Sequence, residues 1–185
     1  MAEAIRVSAP VEGSDKELSF ETGKLAPQSQ GAVVGTLGGT AVLATANQSK
    51  PREGIDFFPL TVDIEERMYA AGKIPGSFFR REGRPTDNAI LTCRLIDRPL
   101  RPSFAEGYRN ETQVVGTVMG ADLENPHDVL AINAASAALM LSGIPFEGPI
   151  GAVRLAFTTE GEWLGHPTYQ EGDESTFELV VLSAS

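Results

Sequence analysis

The 185 residues predict an α+β domain: a β meander, a helix, a further strand, a buried helix and then more strands. Three observations carry this. Short segments of period-two apolar alternation fill the first third of the chain, two helix-length segments with start and stop signals follow, and the second of these is small and apolar almost all round. The 42% apolar content is enough for a sizeable core in one domain of this length.

The segments ELSFETG, GAVVGTL and TAVLATA lie between residues 17 and 46 and are separated by turns such as Gly38-Gly39. A glycine pair between two strand-like runs reads as a hairpin turn rather than a phosphate cradle. PLTVDIEER, residues 59–67, resumes the alternation through Leu60, Val62 and Ile64, so Asp63, Glu65 and Glu66 are expected on a wet face rather than on a metal. Thr86 then caps a helix with Asp87 in its first turn. Ile90, Leu91, Leu95 and Ile96 are its expected apolar face and Pro99 its stop. QVVGTVMGA, residues 113–121, is a strand, and a loop over 122–127 leads into a helix over 128–141. Ala131, Ala134, Ala135, Ala137 and Ala138 allow close approach on that helix, which marks it as buried. It ends at Ser142-Gly143, with Pro145 beyond.

GPIGAVRLAFT and FELVVLS are the last strands. Residues 177–182 are expected in a central strand, so the chain reads as ending while a sheet is still being built, as a fragment of a longer protein would.

The formal charge of −10 argues against unselective coating of nucleic acid, because phosphate is repelled by the overall field. One stretch departs from that balance. KIPGSFFRREGRPTDNAILTCRLIDRPLRPSF, residues 73–104, is basic, and from residue 73 to 109 there are eight Lys and Arg against four acids. Arg80, Arg81 and Arg84 follow the adjacent Phe78 and Phe79 in a segment that Pro75, Gly76, Gly83 and Pro85 mark as a loop. Two readings of the rings stand side by side. They are either buried core with solvated arginines next to them, or a stacking platform for bases whose neighbouring guanidinium groups grip phosphate. Arg94, Arg98 and Arg101 fall at i, i+4 and i+7, one basic stripe if the helical path reaches Arg101; Asp97 either pairs with one of them or is solvated. After Arg154 there are six acids and no Lys or Arg, which excludes that part from an RNA track.

The single Cys93 excludes an internal disulfide and a zinc framework; it is expected in the core, in a reducing compartment. His127 and His166 have no partner at metal-ligand spacing and are expected on loops or the surface. No apolar run of about 18 residues is present, and the first ten residues are no signal sequence, so no membrane partner and a cytoplasmic location are expected.

The run IDFFPLTVDIEERMYAAGKIPGSFFRREGRPTDNAILTCRLIDRPLRPSF, residues 55–104, resembles the first core domain of bacterial polynucleotide phosphorylases. The resemblance continues through AINAASAALMLSGIPFEGPIGAVR, residues 131–154, and its wording is similar to actinobacterial members, some of them called guanosine pentaphosphate synthetases. It implies that residues 1–185 are an RNase PH-type domain (ribosomal protein S5 domain 2-like), the N-terminal, non-catalytic half of the enzyme core with its final elements missing. Members are homotrimeric rings that degrade single-stranded RNA from its 3′ end, using inorganic phosphate as co-substrate and releasing nucleoside diphosphates in mRNA turnover.

Carried onto this sequence, the resemblance places Phe78, Phe79, Arg80 and Arg81 in the loop that constricts the pore and contacts RNA. Arg84, Arg94, Arg98 and Arg101 match the basic run of the same motif. No catalytic or metal-binding residue is implied here: the phosphate-binding serines and the acids that hold Mg²⁺ belong to the second core domain. At the place matching the serines this chain reads Asn125-Pro126-His127-Asp128. Partners in an RNA-degradation complex are a further implication. Two alternatives remain: a free-standing, non-catalytic RNA-binding or ring-forming module, and guanosine pentaphosphate synthesis.

Overall fold

The computed structural model describes residues 4–12, 14–76 and 78–184. Strands β1 (Ile5–Pro10), β2 (Glu17–Thr22), β3 (Gly31–Leu37), β4 (Thr40–Gln48), β5 (Leu60–Glu66) and β6 (Thr112–Gly120) form one sheet in the order β1-β2-β3-β4-β6-β5. Strands β7 (Ile150–Phe157), β8 (Trp163–Gly165) and β9 (Phe177–Ala184) form a second, in the order β8-β7-β9. The helices are α1 (Asp87–Leu100), α2 (Asp128–Ser142) and the short α3 (Tyr169–Asp173). The α+β class read from the pattern is what the chain adopts.

β1 to β4 run antiparallel as the expected meander, and β4 pairs antiparallel with β6. β5 lies outside β6 and parallel to it, which requires a crossover, and α1 supplies it. The site described below occupies the first half of that crossover.

α2 packs against β3, β4 and β6 on one side and against β7 on the other. This explains why its sequence has no polar face: a helix covered from both sides is apolar all round. Its alanines do what their size suggests. A Cβ on Gly31 would overlap the carbonyl oxygen of Ala138, and one on Gly35 would lie 3.1 Å from Leu130 Cδ1 and 3.2 Å from Ala134 Cβ. Leu130, Ile132 and Leu139 are fully buried there, each stabilising by roughly 1.5–3 kcal/mol relative to exposure. The polar exceptions on α2 serve β7. The Asn133 amide donates to the Ala152 carbonyl and accepts from the Ala152 N–H, both at 2.8 Å, and Ser136 Oγ accepts from the Ile150 N–H at 2.8 Å. Those backbone groups lie beyond the reach of β8, which pairs only with Leu155 to Phe157.

Several expectations need correction. α1 does not stop before Pro99. It runs to Leu100, which is completely buried, and the Arg101 N–H donates to the Asp97 carbonyl, so the last turn forms around the proline. The buried stripe of α1 is Ala89, Thr92, Ile96 and Leu100, spaced by three and four back from Leu100, whereas Ile90 and Leu91 are exposed. β9 pairs on one side only among the described residues, so it is an edge strand and not a central one. β1, β8 and α3 lie outside the expected elements: β1 is exposed along its length, and β8 and α3 have only 3 and 5 residues. His166 lies in the loop after β8, as one of the two expectations had it, but is buried there rather than on the surface. Burial, and then the nearby Lys16 charge, push its imidazole below its ordinary pKa. Cys93 is half-buried, with its Sγ accepting from the Ile64 N–H at 3.2 Å. Among the described residues no helix is long and apolar enough to cross a membrane.

Candidate nucleic-acid interface

The chain leaves the carboxyl end of β5 at Glu66 and returns at Thr86 to start α1. Between them a single 3₁₀ turn, Met68–Ala71, is terminated by Gly72 at φ 66°, a left-handed position that glycine takes without strain. Pro75, Gly76, Gly83 and Pro85 then deny the segment both a helix and a ladder. Its two limbs are joined at the base. The Met68 N–H donates to Glu82 Oε1 at 2.9 Å, and Thr86 Oγ1 donates to Glu66 Oε2 at 2.8 Å while accepting from the Ala89 N–H at 3.0 Å as the N-cap of α1. Arg67 pairs with Glu65 at 2.6 Å. A cleft of about 590 Å³ lies between the limbs, lined by Glu65, Glu66, Pro75, Arg81, Arg84 and Pro85 among others.

At the tip Phe78 is 95% exposed and Phe79 74%, with their rings edge to face at 5.4 Å. The buried-core reading of these rings is therefore wrong. Arg80 sits at φ 49°, a left-handed backbone that costs a non-glycine residue about 1 kcal/mol. Arg80, Arg81 and Arg84 are exposed, as are Arg94 and Arg98 one turn apart on α1. None of these five guanidinium groups is in an ion pair among the described residues.

Arg101 is different. Its guanidinium makes two hydrogen bonds to Asp97, at 3.0 and 2.6 Å, and donates to the carbonyls of Phe58 and Leu60, each at 3.2 Å. The helical path does reach Arg101, but this side chain holds the entry to β5 against the end of α1, and Asp97 is its partner.

The second arginine-bearing corner lies at the start of α2. Arg154, on β7, is clamped between Asp128, in contact with one of its terminal nitrogens, and Glu178 at 2.8 Å. Burial opposes its charge, but the two carboxylates outweigh burial and raise its pKa. Asp128 also accepts from the Val129 N–H at 2.7 Å. A carboxylate of the chain itself thus lies at this helix N-terminus, while Arg154 Nε is buried without a hydrogen-bond partner among the described residues.

Just upstream, Asp122 organises the loop into α2. It accepts from the backbone N–H groups of Gly39, Glu124 and Asn125 and from the Asn125 amide, at 2.6–2.9 Å. Partial burial works against its charge, but these hydrogen bonds prevail and hold it well below the usual carboxylate range. Gly38-Gly39 is thereby confirmed as a hairpin turn, fastened by Asp122.

Sequence reasoning missed the acids that hold the loop, Glu66 and Glu82, and the left-handed backbone of Arg80. The one available signal for Glu82 was an acid set inside a run of arginines.

Comparison with known proteins bears on this geometry. Residues 14–145 match the family model described as 3′ exoribonuclease family, domain 1. The chain is 60% identical over 181 residues to a polyribonucleotide nucleotidyltransferase of Frankia casuarinae, covering 97% of this chain and 24% of that protein. It is 62% identical over 165 residues to one of Salinispora arenicola, covering 89% of this chain and 21% of that protein. It therefore spans less than a quarter of the length of these curated relatives. Among solved structures, rice (Oryza sativa) Rrp46 superimposes with a TM-score of 0.68 at 17% identity, covering 99% of this chain and 74% of that one. A chain of the Archaeoglobus fulgidus exosome with RNA bound to the active site superimposes with a TM-score of 0.63 at 16% identity, covering 98% and 72%. These two likenesses speak to the fold. From the fold and the family match together, the chain belongs to the 3′ exoribonuclease family, as an RNase PH-type domain 1.

Proposed function

We propose that this chain is the RNA-guiding first half of the core of a polyribonucleotide nucleotidyltransferase. The whole enzyme degrades single-stranded RNA from the 3′ end with inorganic phosphate and releases nucleoside diphosphates in the cytoplasm. The observation that carries this reading is the loop tip: two exposed phenylalanines next to arginines that have no ionic partner among the described residues. Rings stack on any base and guanidinium groups hold phosphate without reading sequence, which suits an enzyme that moves along RNA. In a homotrimer three such loops would surround one strand.

The chemistry is assigned to the second core domain, outside this chain, together with the Mg²⁺ it uses. The corner at Asp128 supports that division. Its one arginine is outnumbered by the two carboxylates that hold it, so the ion cluster carries a net negative charge, which repels an incoming phosphate.

Two measurements test the reading. Release of nucleoside diphosphate from poly(A) is expected from the full-length protein and not from residues 1–185; activity in the fragment would overturn the division of labour. Arg80→Ala with Arg81→Ala in the full-length protein is expected to weaken binding of long RNA and to flatten its salt dependence, because fewer counterions are released. Unchanged affinity at two salt concentrations would remove the loop from the RNA track.

A further inference from the structure

The loop that carries Phe78 to Arg81 is held by little else than its base. Its outgoing limb begins at Met68 and its returning limb ends at Thr86, and the hydrogen bond from the Met68 N–H to Glu82 Oε1, 2.9 Å, ties the two limbs directly to each other. Thr86 is fastened separately, to Glu66. The cleft between the limbs is bordered by Met68 on one side and by Arg81, Glu82 and Arg84 on the other, with the Glu82 contact at its edge.

Glu82 is an odd residue for this place. A carboxylate next to Arg81 and Arg84 weakens the local attraction for phosphate, so its electrostatic effect on RNA binding is unfavourable. Its oxygen instead accepts a backbone N–H that has no ladder or helix partner of its own, being the first residue of a 3₁₀ turn. Two residues upstream, Arg80 holds a left-handed backbone conformation, which an unconstrained loop would relax.

We infer that Glu82 is a positioning residue: by accepting the Met68 N–H it closes the loop into a clasp and fixes the direction in which Phe78, Phe79, Arg80 and Arg81 are presented to RNA. The inference rests on the proposal that this loop contacts RNA. Glu82 itself touches no substrate. Without it the limbs part, the tip samples many directions, and long RNA has to order the loop before binding.

The test uses the full-length protein and compares Glu82→Ala, Glu82→Gln and the Arg80→Ala/Arg81→Ala double variant in phosphorolysis of long poly(A) and of a short oligonucleotide that does not reach the loop. A Gln carbonyl oxygen still accepts the Met68 N–H, but the charge is gone. Glu82→Ala is expected to raise KM for long poly(A) by about three- to tenfold with kcat unchanged and to leave the short substrate unaffected. Glu82→Gln is expected to restore the parent KM or lower it slightly, since it keeps the clasp and removes a repulsive charge. If Glu82→Ala matches the parent while the double arginine variant is impaired, the loop binds RNA and the clasp is not needed, which overturns this inference alone. If Glu82→Gln is as impaired as Glu82→Ala, the hydrogen bond is not what matters and the inference again fails. If the double arginine variant is unimpaired, the underlying RNA-loop reading falls first.

Discussion

Arginine stands beside a helix N-terminus at two places in this molecule, and the two could hardly be used more differently. Before α1, Arg81 and Arg84 are exposed and without an ionic partner among the described residues. At the start of α2, Arg154 from β7 is held between Asp128 and Glu178 and is partly buried. Both corners combine a guanidinium with a helix start, which is the chemistry that attracts phosphate. The difference lies in who supplies the anion. At α2 the chain provides its own carboxylates, and the corner becomes a structural joint between α2 and the second sheet. At α1 the acids Glu82 and Glu66 bond a backbone N–H and the Thr86 hydroxyl rather than the arginines, so Arg81 and Arg84 stay exposed and without an ionic partner among the described residues.

The largest expected effect tests the joint. Arg154→Ala strands the partly buried Asp128 and leaves the more exposed Glu178 unpaired, and with solvent screening of the latter this costs about 2 kcal/mol. Urea unfolding should show a clearly lower midpoint, with the RNA affinity of the folded protein unchanged. An affinity loss comparable to that of the loop variants would erase the distinction between the corners.

The loop should behave in the opposite sense. Phe78→Ala with Phe79→Ala is expected to leave stability within about 0.5 kcal/mol, because exposed rings contribute little to folding. RNA affinity should fall by about 1–3 kcal/mol per base no longer stacked. Fluorescence anisotropy with a labelled single strand, alongside the same urea titration, separates the two quantities. A large stability loss would mean that the rings are part of the core after all.

A smaller effect comes from Asp122, a carboxylate used entirely for structure. Asp122→Asn should cost about 1–2 kcal/mol at neutral pH, the order expected for weakening charge-assisted hydrogen bonds. Because the folded pKa is depressed, the carboxylate stabilises above its unfolded value of about 4, and its contribution fades as pH falls below that. Parent and variant should therefore converge in acid.

The smallest effect concerns His166. Its folded pKa lies below the unfolded value of about 6.5, so the unfolded chain takes up the proton first and stability is lost as pH falls through that region. His166→Asn tolerates the left-handed φ of 49° and removes the titration, and should flatten the pH dependence of unfolding below the unfolded value of about 6.5.

How much of this was readable from residue order depends on the element. The meander, the Thr86 cap and the αL end of α2 at Gly143 are local: each is set by a few neighbouring residues whose side chains or φ preferences act within one or two turns. The placement of α1 was not. Ile90 and Leu91 look like core by type, yet the helix is rotated so that Ala89, Thr92, Ile96 and Leu100 face inward. What rotates it is the docking of Leu100 and the Arg101 fork on Asp97 and on the carbonyls of Phe58 and Leu60, some forty residues upstream. The short strand β8 and helix α3 likewise depend on β7 and on contacts with the loop before α2, such as the Tyr169 N–H to Glu124 carbonyl bond at 3.0 Å.

Sequence by itself determined the fold class, the loop that carries Phe78 to Arg84, and the basic island in an acidic chain, because composition, periodicity and breaker residues act locally. Only the tertiary structure decided which arginines remain available. A guanidinium is free or spent according to the carboxylates and carbonyls that folding brings within about 3 Å of it, and for Arg101 and Arg154 those partners include groups from distant segments of the chain.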